Sequence, residues 1–148
     1  MICSRRAEYA IRALVEIAGL NEHEFALVRD IAAKTGIPKQ FLAKILQDLA
    51  REGLLKSAKG PHGGFRLAAA PAQISMRRVV EIADGSGKLE RCVLGQEDCD
   101  DRASCGAHDS WMPVRSRIID YLEGTSIADL ANGLGEKRRL LSRPRRKR

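Results

Sequence analysis

DIAAKTGIPKQFLAKILQDLAREGLLKSAKGPHGGFRLA, residues 30–68, changes its apolar period partway along. Leu42, Ile45, Leu46 and Leu49 recur at i, i+3, i+4 and i+7, the spacing of one helix face. Gly36 stops a shorter helix over about 27–34, and Pro38 opens the next, since proline suits a first turn whose N–H is unpaired anyway. The second helix ends at Gly53. Two short segments, LLKSA and GFRLA, then flank KGPHG, where glycine and proline mark a turn between strands. Helix, turn, helix and hairpin in that order describe a winged helix-turn-helix.

The face opposite the leucines carries Gln40, Lys44, Gln47 and Arg51, with Lys39 on its flank. It is polar, largely basic, and of a size for the major groove. Pro38, Lys39, Gln40 and Lys44 at its start are the candidate DNA-facing residues. Gln40 suits an adenine edge and Lys44 a guanine. Lys59 and His62 occupy the glycine-rich turn, where backbone can approach phosphates or the minor groove. A winged helix used only for protein contacts is the alternative; the charge of the exposed face favours DNA.

Upstream, MICSRRAEYAIRALVEIAGL is basic then apolar, as a signal peptide is, but Glu8, Arg12 and Glu16 interrupt it at helical spacing. An amphipathic helix from Ser4, its N-cap, to near Leu20 fits better, with Ala10, Leu14, Ile17 and Ala18 on one face. Downstream, a helix is expected over about 75–84, capped by Ser75, with Val79, Val80, Ile82 and Ala83 inward. DSWMPVRSRIIDYLE gives a longer one over about 110–123, striped by Trp111, Val114, Ile118 and Leu122, with Pro113 acceptable in a first turn. TSIADLA reads as a short capped helix.

The expected fold class is mainly α: a winged helix-turn-helix with a small β-hairpin wing and a long C-terminal helix. The expected divisions are 1–85 for the DNA-binding domain, 86–108 for a cysteine-rich loop, 109–135 for the long helix and a short one, and 136–148 for a basic, disordered tail. That tail holds eight Lys/Arg and one Glu, so the net charge of +7 belongs to it, and the other 135 residues sum to zero. Aromatics at 4% leave an aliphatic core. No apolar run approaches the roughly 18 residues of a membrane helix, so a cytoplasmic chain is expected, in which thiols stay reduced and clustered thiols bind metal or do redox chemistry. No phosphate loop or second catalytic cluster supports an enzyme.

Cys92, Cys99, Cys105 and His108 follow in C-x6-C-x5-C-x2-H spacing within RCVLGQEDCDDRASCGAHDSW, residues 91–111. Structural zinc usually takes closer C-x2-4-C pairs. Cys105 and His108, three apart, converge if a helical turn begins there. Glu97, Asp98, Asp100 and Asp101 make free thiolates costly, because like charges raise a thiol pKa. A bound cationic centre would relieve that repulsion and hold together a loop with almost no core residues. Three unrelated surface cysteines, or a metal-free disulfide switch, are weaker readings; a peroxide-sensing thiol wants activation that the acidic setting denies. A zinc-stabilised DNA-binding module without sensing stays open.

RAEYAIRALVEIA, the helix-turn-helix, the wing KGPHGGFRLA and the three-cysteine segment before a long helix together resemble the Rrf-two family of bacterial regulators, over about residues 3–131. The resemblance implies a homodimer that binds double-stranded DNA, crosses its long C-terminal helices and tunes its affinity with an iron–sulfur cluster. IscR-like relatives complete a 2Fe–2S site with a histidine at the place of His108. NsrR-like ones hold a 4Fe–4S cluster through an acidic residue of the partner's first helix, here Glu8. The first gap is one residue longer than the IscR-like pattern, and 2Fe–2S is the expected type. An acidic residue that helps IscR-like relatives choose sequence is replaced here by Ala43. No membrane partner or small-molecule substrate is implied.

Overall fold

The computed structural model describes residues 3–95 and 105–141. Six α-helices and one hairpin follow in chain order: α1 Arg5–Ala18, α2 Val28–Thr35, α3 Lys39–Arg51, β1 Leu55–Ala58, β2 Gly64–Leu67, α4 Met76–Asp84, α5 His108–Gly124 and α6 Ile127–Leu141. Short 3-10 turns lie at Pro71–Gln73 and Lys88–Glu90.

The leucine face of α3 is buried at Leu42, Ile45, Leu46 and Leu49. It packs on Ala10, Ala13, Leu14 and Ile17 of α1, on Ile31 of α2 and on Ile37 in one aliphatic core. Gly36 ends α2 in the left-handed conformation, φ +70°, which glycine adopts without a Cβ penalty. Pro38 is the N-cap of α3 rather than its first helical residue.

In the hairpin Leu55 faces Leu67 and Ala58 faces Gly64, antiparallel. Two strands alone are marginal in water, and a third backbone segment supports these: Ala26 and Phe65 exchange N–H···O bonds of 2.8 and 2.9 Å. Gly64 permits that approach. Its φ is +128°, and a Cβ there would stand 2.2 Å from the Ala26 carbonyl oxygen.

α4 is the hub for the second half. After α5 the chain returns to its N-terminus, where Met76 N–H donates to Thr125 C=O at 2.8 Å and Ile127 N–H to Ile74 C=O at 2.9 Å. Ile127 is fully buried in the main core, with Leu130 and Ala131 packed beside it. Leu122 and Ile118 of α5 join Val80 and Ala7 in a smaller cluster.

Two helices differ from the sequence expectation. α5 starts at His108, so Pro113 lies inside it rather than in its first turn. The carbonyl that the missing N–H would have met belongs to exposed Asp109, where water can satisfy it. α6 is fifteen residues long, not a short helix, and runs through 136–141, which the sequence assigned to a disordered tail. Its start is fixed by Ser126, whose hydroxyl accepts from Asp129 N–H at 3.2 Å while the Asp129 carboxylate accepts Ser126 N–H at 2.9 Å.

At the other end of α4, Ser4 caps α1 by accepting from Ala7 N–H at 3.2 Å. Its own N–H donates to Asp84 at 2.9 Å, and its hydroxyl donates to the second carboxylate oxygen. Burial alone would raise the Asp84 carboxyl pKa; the Ser4 hydrogen bonds and the Lys88 ammonium outweigh it and hold it below its ordinary value. A carboxylate held low in the folded chain stabilises it above the unfolded value, near 3.9, and that stability is lost as pH falls through the lower folded value. Asp84→Asn should cost about 1–3 kcal/mol at neutral pH. The deficit relative to the parent should shrink in acid, below about pH 4. Urea unfolding across pH checks this; a deficit independent of pH would assign the loss to packing instead.

Candidate nucleic-acid interface and cysteine segment

Lys39, Gln40, Lys44, Gln47 and Arg51 are all exposed on α3, opposite its buried face, and the N-cap Pro38 is exposed beside them. Lys59 and His62 are exposed at the hairpin tip, where Gly63 N–H closes the turn on Gly60 C=O at 3.0 Å. The sequence-derived candidates thus fall on two elements that share one core and are joined by three residues and a strand. The charge of α3 is unequal along its length. Asp48 pairs with Arg6 and with Arg51, the latter at 3.0 Å, and Glu52 meets Arg78 at 3.6 Å. Lys39 and Lys44, toward the N-terminus, and Lys59 on the wing have no carboxylate partner among the described residues. Helical N–H groups at that end add partial positive charge.

Sequence reasoning passed over Phe41. It lies in the first turn of α3 and is 67% exposed, the highest value among the described large hydrophobic residues. The signal was available, because Phe41 falls outside the i, i+3, i+4, i+7 set that supplies the core.

Of the cysteine candidates, Cys92 is buried and Cys105 half-buried. Leu94 N–H points at Cys92 Sγ from 3.4 Å, and Gly95 N–H closes a turn on Cys92 C=O at 3.0 Å. His108 is buried as the first residue of α5, and its N–H donates to Cys105 C=O at 2.9 Å. The helical turn that convergence of Cys105 and His108 requires does begin there. Cys99 and the neighbouring Glu97, Asp98, Asp100 and Asp101 lie outside the described residues. Among the described residues no three His, Cys, Asp or Glu side chains gather as a metal site. Glu8 is exposed on α1 and paired with Arg12 at 3.3 Å. Cys3 is half-buried against the smaller cluster, and burial, then the charges of Asp84 and Glu8, push its thiol pKa up.

The approach to Cys92 is tied down by two arginines. Arg77 of α4 reaches Glu81 at 2.9 Å, Glu123 of α5 at 3.0 Å and Glu90 at 3.4 Å. Hydrogen bonds to Glu81 and then Glu123 raise the guanidinium pKa further. Arg115 of α5 donates to the Glu90 carbonyl at 2.7 Å. One guanidinium fork thus links α4, α5 and the segment two residues before Cys92, a geometry a lysine cannot copy.

Comparison with known proteins places these features. The family profile described as Rrf2, iron-dependent transcriptional regulator, matches residues 3–133. A protein of Aquifex aeolicus assigned as an HTH-type transcriptional regulator is 38% identical over 134 residues, spanning 89% of this chain and 92% of that protein. The HTH-type transcriptional regulator IscR of Aliivibrio salmonicida is 30% identical over 130 residues, spanning 88% of this chain and 77% of that protein. Among solved structures, CymR, the global cysteine regulator of B. subtilis, aligns with a TM-score of 0.73 at 20% identity, over 87% of this chain and 95% of that one. IscR of T. potens aligns at 0.70 and 23% identity, over 90% and 88%. At those identities the two structures speak to the fold.

Arg77→Met should free the segment before Cys92 without unfolding the chain. Cys92 should then react with a thiol reagent several-fold faster in the metal-free protein, and Arg77→Lys should recover only part of the protection. Labelling followed by peptide mass spectrometry reads this out; an unchanged Cys92 rate would mean that the arginine does not position the segment.

Proposed function

Because the chain belongs to the Rrf2 family of transcriptional regulators, we propose that it is a homodimeric DNA-binding regulator whose operator affinity is set by an iron–sulfur cluster on Cys92, Cys99 and Cys105. Its being a DNA-binding transcriptional regulator follows from the family; the cluster, the dimer and the residues are the proposal. The observation that carries it is the burial of Cys92 and His108, on either side of the acidic stretch that holds Cys99. Ordinary surface cysteines and histidines would not be withdrawn from water at a point with so few core residues. The donor chemistry fits: thiolates are the usual ligands of iron–sulfur clusters, and the Leu94 N–H already points at Cys92 Sγ. Trp111 Nε1, one turn into α5, is buried without an acceptor among the described residues. His108 is the proposed fourth ligand of a 2Fe–2S cluster; Glu8 of a second copy is the alternative, for a 4Fe–4S one.

Such a cluster would supply a redox- and nitric-oxide-sensitive link between the three cysteines of one loop. The chain's own residues would carry the consequence. Arg77 and Arg115 hold the entering segment to α4 and α5, Asp84 of α4 holds the cap of α1, and α1 packs along α3. α5 also offers Val114 and Tyr121, exposed by 48% and 55%, as an apolar surface for a second copy. Two recognition helices must match half-sites about 34 Å apart, so a small change of tilt alters affinity. Lys39, Gln40 and Lys44, preceded by Pro38, would enter the major groove, with Lys59 and His62 on the flanking backbone or minor groove.

Anaerobic purification, visible absorption and iron and sulfide analysis test the centre. The parent should be coloured with iron and sulfide in comparable amounts, and Cys99→Ala colourless. Zinc without iron in a colourless parent would favour a zinc-stabilised module. Lys59→Ala should weaken binding to all sequences and lower the salt slope of log K by about one. An unchanged slope would remove the wing from the phosphate contacts.

A further inference from the structure

The start of α3 carries an apolar group that neither the core nor a charge argument accounts for. Phe41 is one residue before Leu42, which is fully buried. A step of about 100° along the helix turns it out of the core. It lines a cleft of about 490 Å³ between the N-terminal halves of α1 and α3, with Tyr9, Ile45, Arg5 and Lys44. An aromatic and aliphatic floor is thus rimmed by cations. Lys39 and Gln40 precede Phe41 on the same turn, both exposed.

A partner for this surface must be negatively charged and must offer a small apolar group within reach of a helix N-terminus. The major groove of DNA meets both conditions at one base only. The C5-methyl of thymine is the one apolar group on its base edges, and a phenylalanine is among the side chains that contact it. Recognition helices commonly present their N-terminal residues to those edges. We propose that Phe41 reads a thymine methyl in each operator half-site, with Lys39 and Lys44 on the neighbouring phosphates or bases. Sequence choice is thereby carried in part by an apolar contact, at a helix whose position 43 is alanine. The inference rests on the DNA-binding reading above.

Uracil differs from thymine by that methyl alone, so the contact can be deleted from the DNA side. Duplexes bound by the full-length protein are first selected from a random library. Each thymine of the selected site is then replaced by deoxyuridine, and affinity is read by fluorescence anisotropy at fixed salt. One thymine in each half-site should lose roughly three- to fivefold on replacement, the value of one buried methyl. Phe41→Ala should bind the parent site more weakly, lose the uracil sensitivity at that position, and keep the parent's salt slope, since no charge changes. Phe41→Leu should retain part of the sensitivity. The variants should keep the parent's thermal midpoint, because the side chain is exposed.

A flat uracil scan with intact DNA binding overturns the inference alone. So does a Phe41→Ala variant that keeps the sensitivity. If that variant instead changes the oligomeric state by light scattering and leaves the uracil profile as it was, Phe41 contacts a second copy. Failure to recover any bound duplex would overturn the DNA-binding reading and this inference with it.

Discussion

The close packing of α1 is the constraint on which the rest depends. Ala7, Ala10 and Ala13 recur every three residues and, with Leu14, have no exposed surface. Methyl side chains let neighbouring helices approach one axis closely, and α1 touches α2, α3, α4, α6 and β2. A larger residue at these positions would have to displace backbone, which protein interiors resist. The recognition helix, the hub helix α4 and the C-terminal helix α6 are therefore placed by one common surface. Their relative positions are coupled because they share it.

The electrostatics of α3 follow from the same arrangement. Packing α1 against α3 brings Arg6 to Asp48, and Asp48 also holds Arg51. The C-terminal half of α3 is thereby neutralised locally, while Lys39 and Lys44 face solvent at the end where the helix dipole is positive. Exposed ion pairs contribute little stability, so these pairs matter more for where charge is left over than for holding the fold. Lys39, Lys44 and the exposed Phe41 fall together within the first two turns of α3. This concentration distinguishes a surface built for a specific polyanion from a generally basic one, even though the chain's net charge of +7 resides in its last thirteen residues.

Much of this was legible in the residue order. The leucine period of α3, the Gly36 stop, the glycine-rich hairpin turn and the Ser4 and Ser75 caps each have a local cause, and each stands where the pattern put it. What was not legible depends on partners distant in sequence. The short helix expected over TSIADLA instead continues through Gly133 and Gly135, with Ile127, Leu130 and Ala131 docked on the core. The early start of α5 depends on a turn between Cys105 and His108 that no apolar period announces. The candidate cysteine set was visible as a cluster of thiols. The burial of Cys92 and His108 was not, nor was the hold of Arg77 on Glu90, which joins side chains thirteen positions apart.

α4 is the element through which these regions communicate. Its N-terminal cap residue pairs with the return from α5, through Ser75 and Ser126. Two residues on, Arg77 fixes the approach to Cys92, and the last residue of α4, Asp84, fixes the cap of α1. A nine-residue helix with Val79 and Val80 fully buried moves as a unit or not at all. A change at the cysteine segment can then reach α1 without a chain of independent rearrangements, since one rigid element touches both. The opposing charges favour such a device. Glu81, Glu90 and Glu123 surround a single guanidinium, so their mutual repulsion is balanced only while Arg77 holds all three. Withdrawing Glu90 leaves the other two pairs intact and lowers the local negative charge. The segment before Cys92 is therefore the contact in this cluster that can open at least cost, while α4 and α5 stay joined.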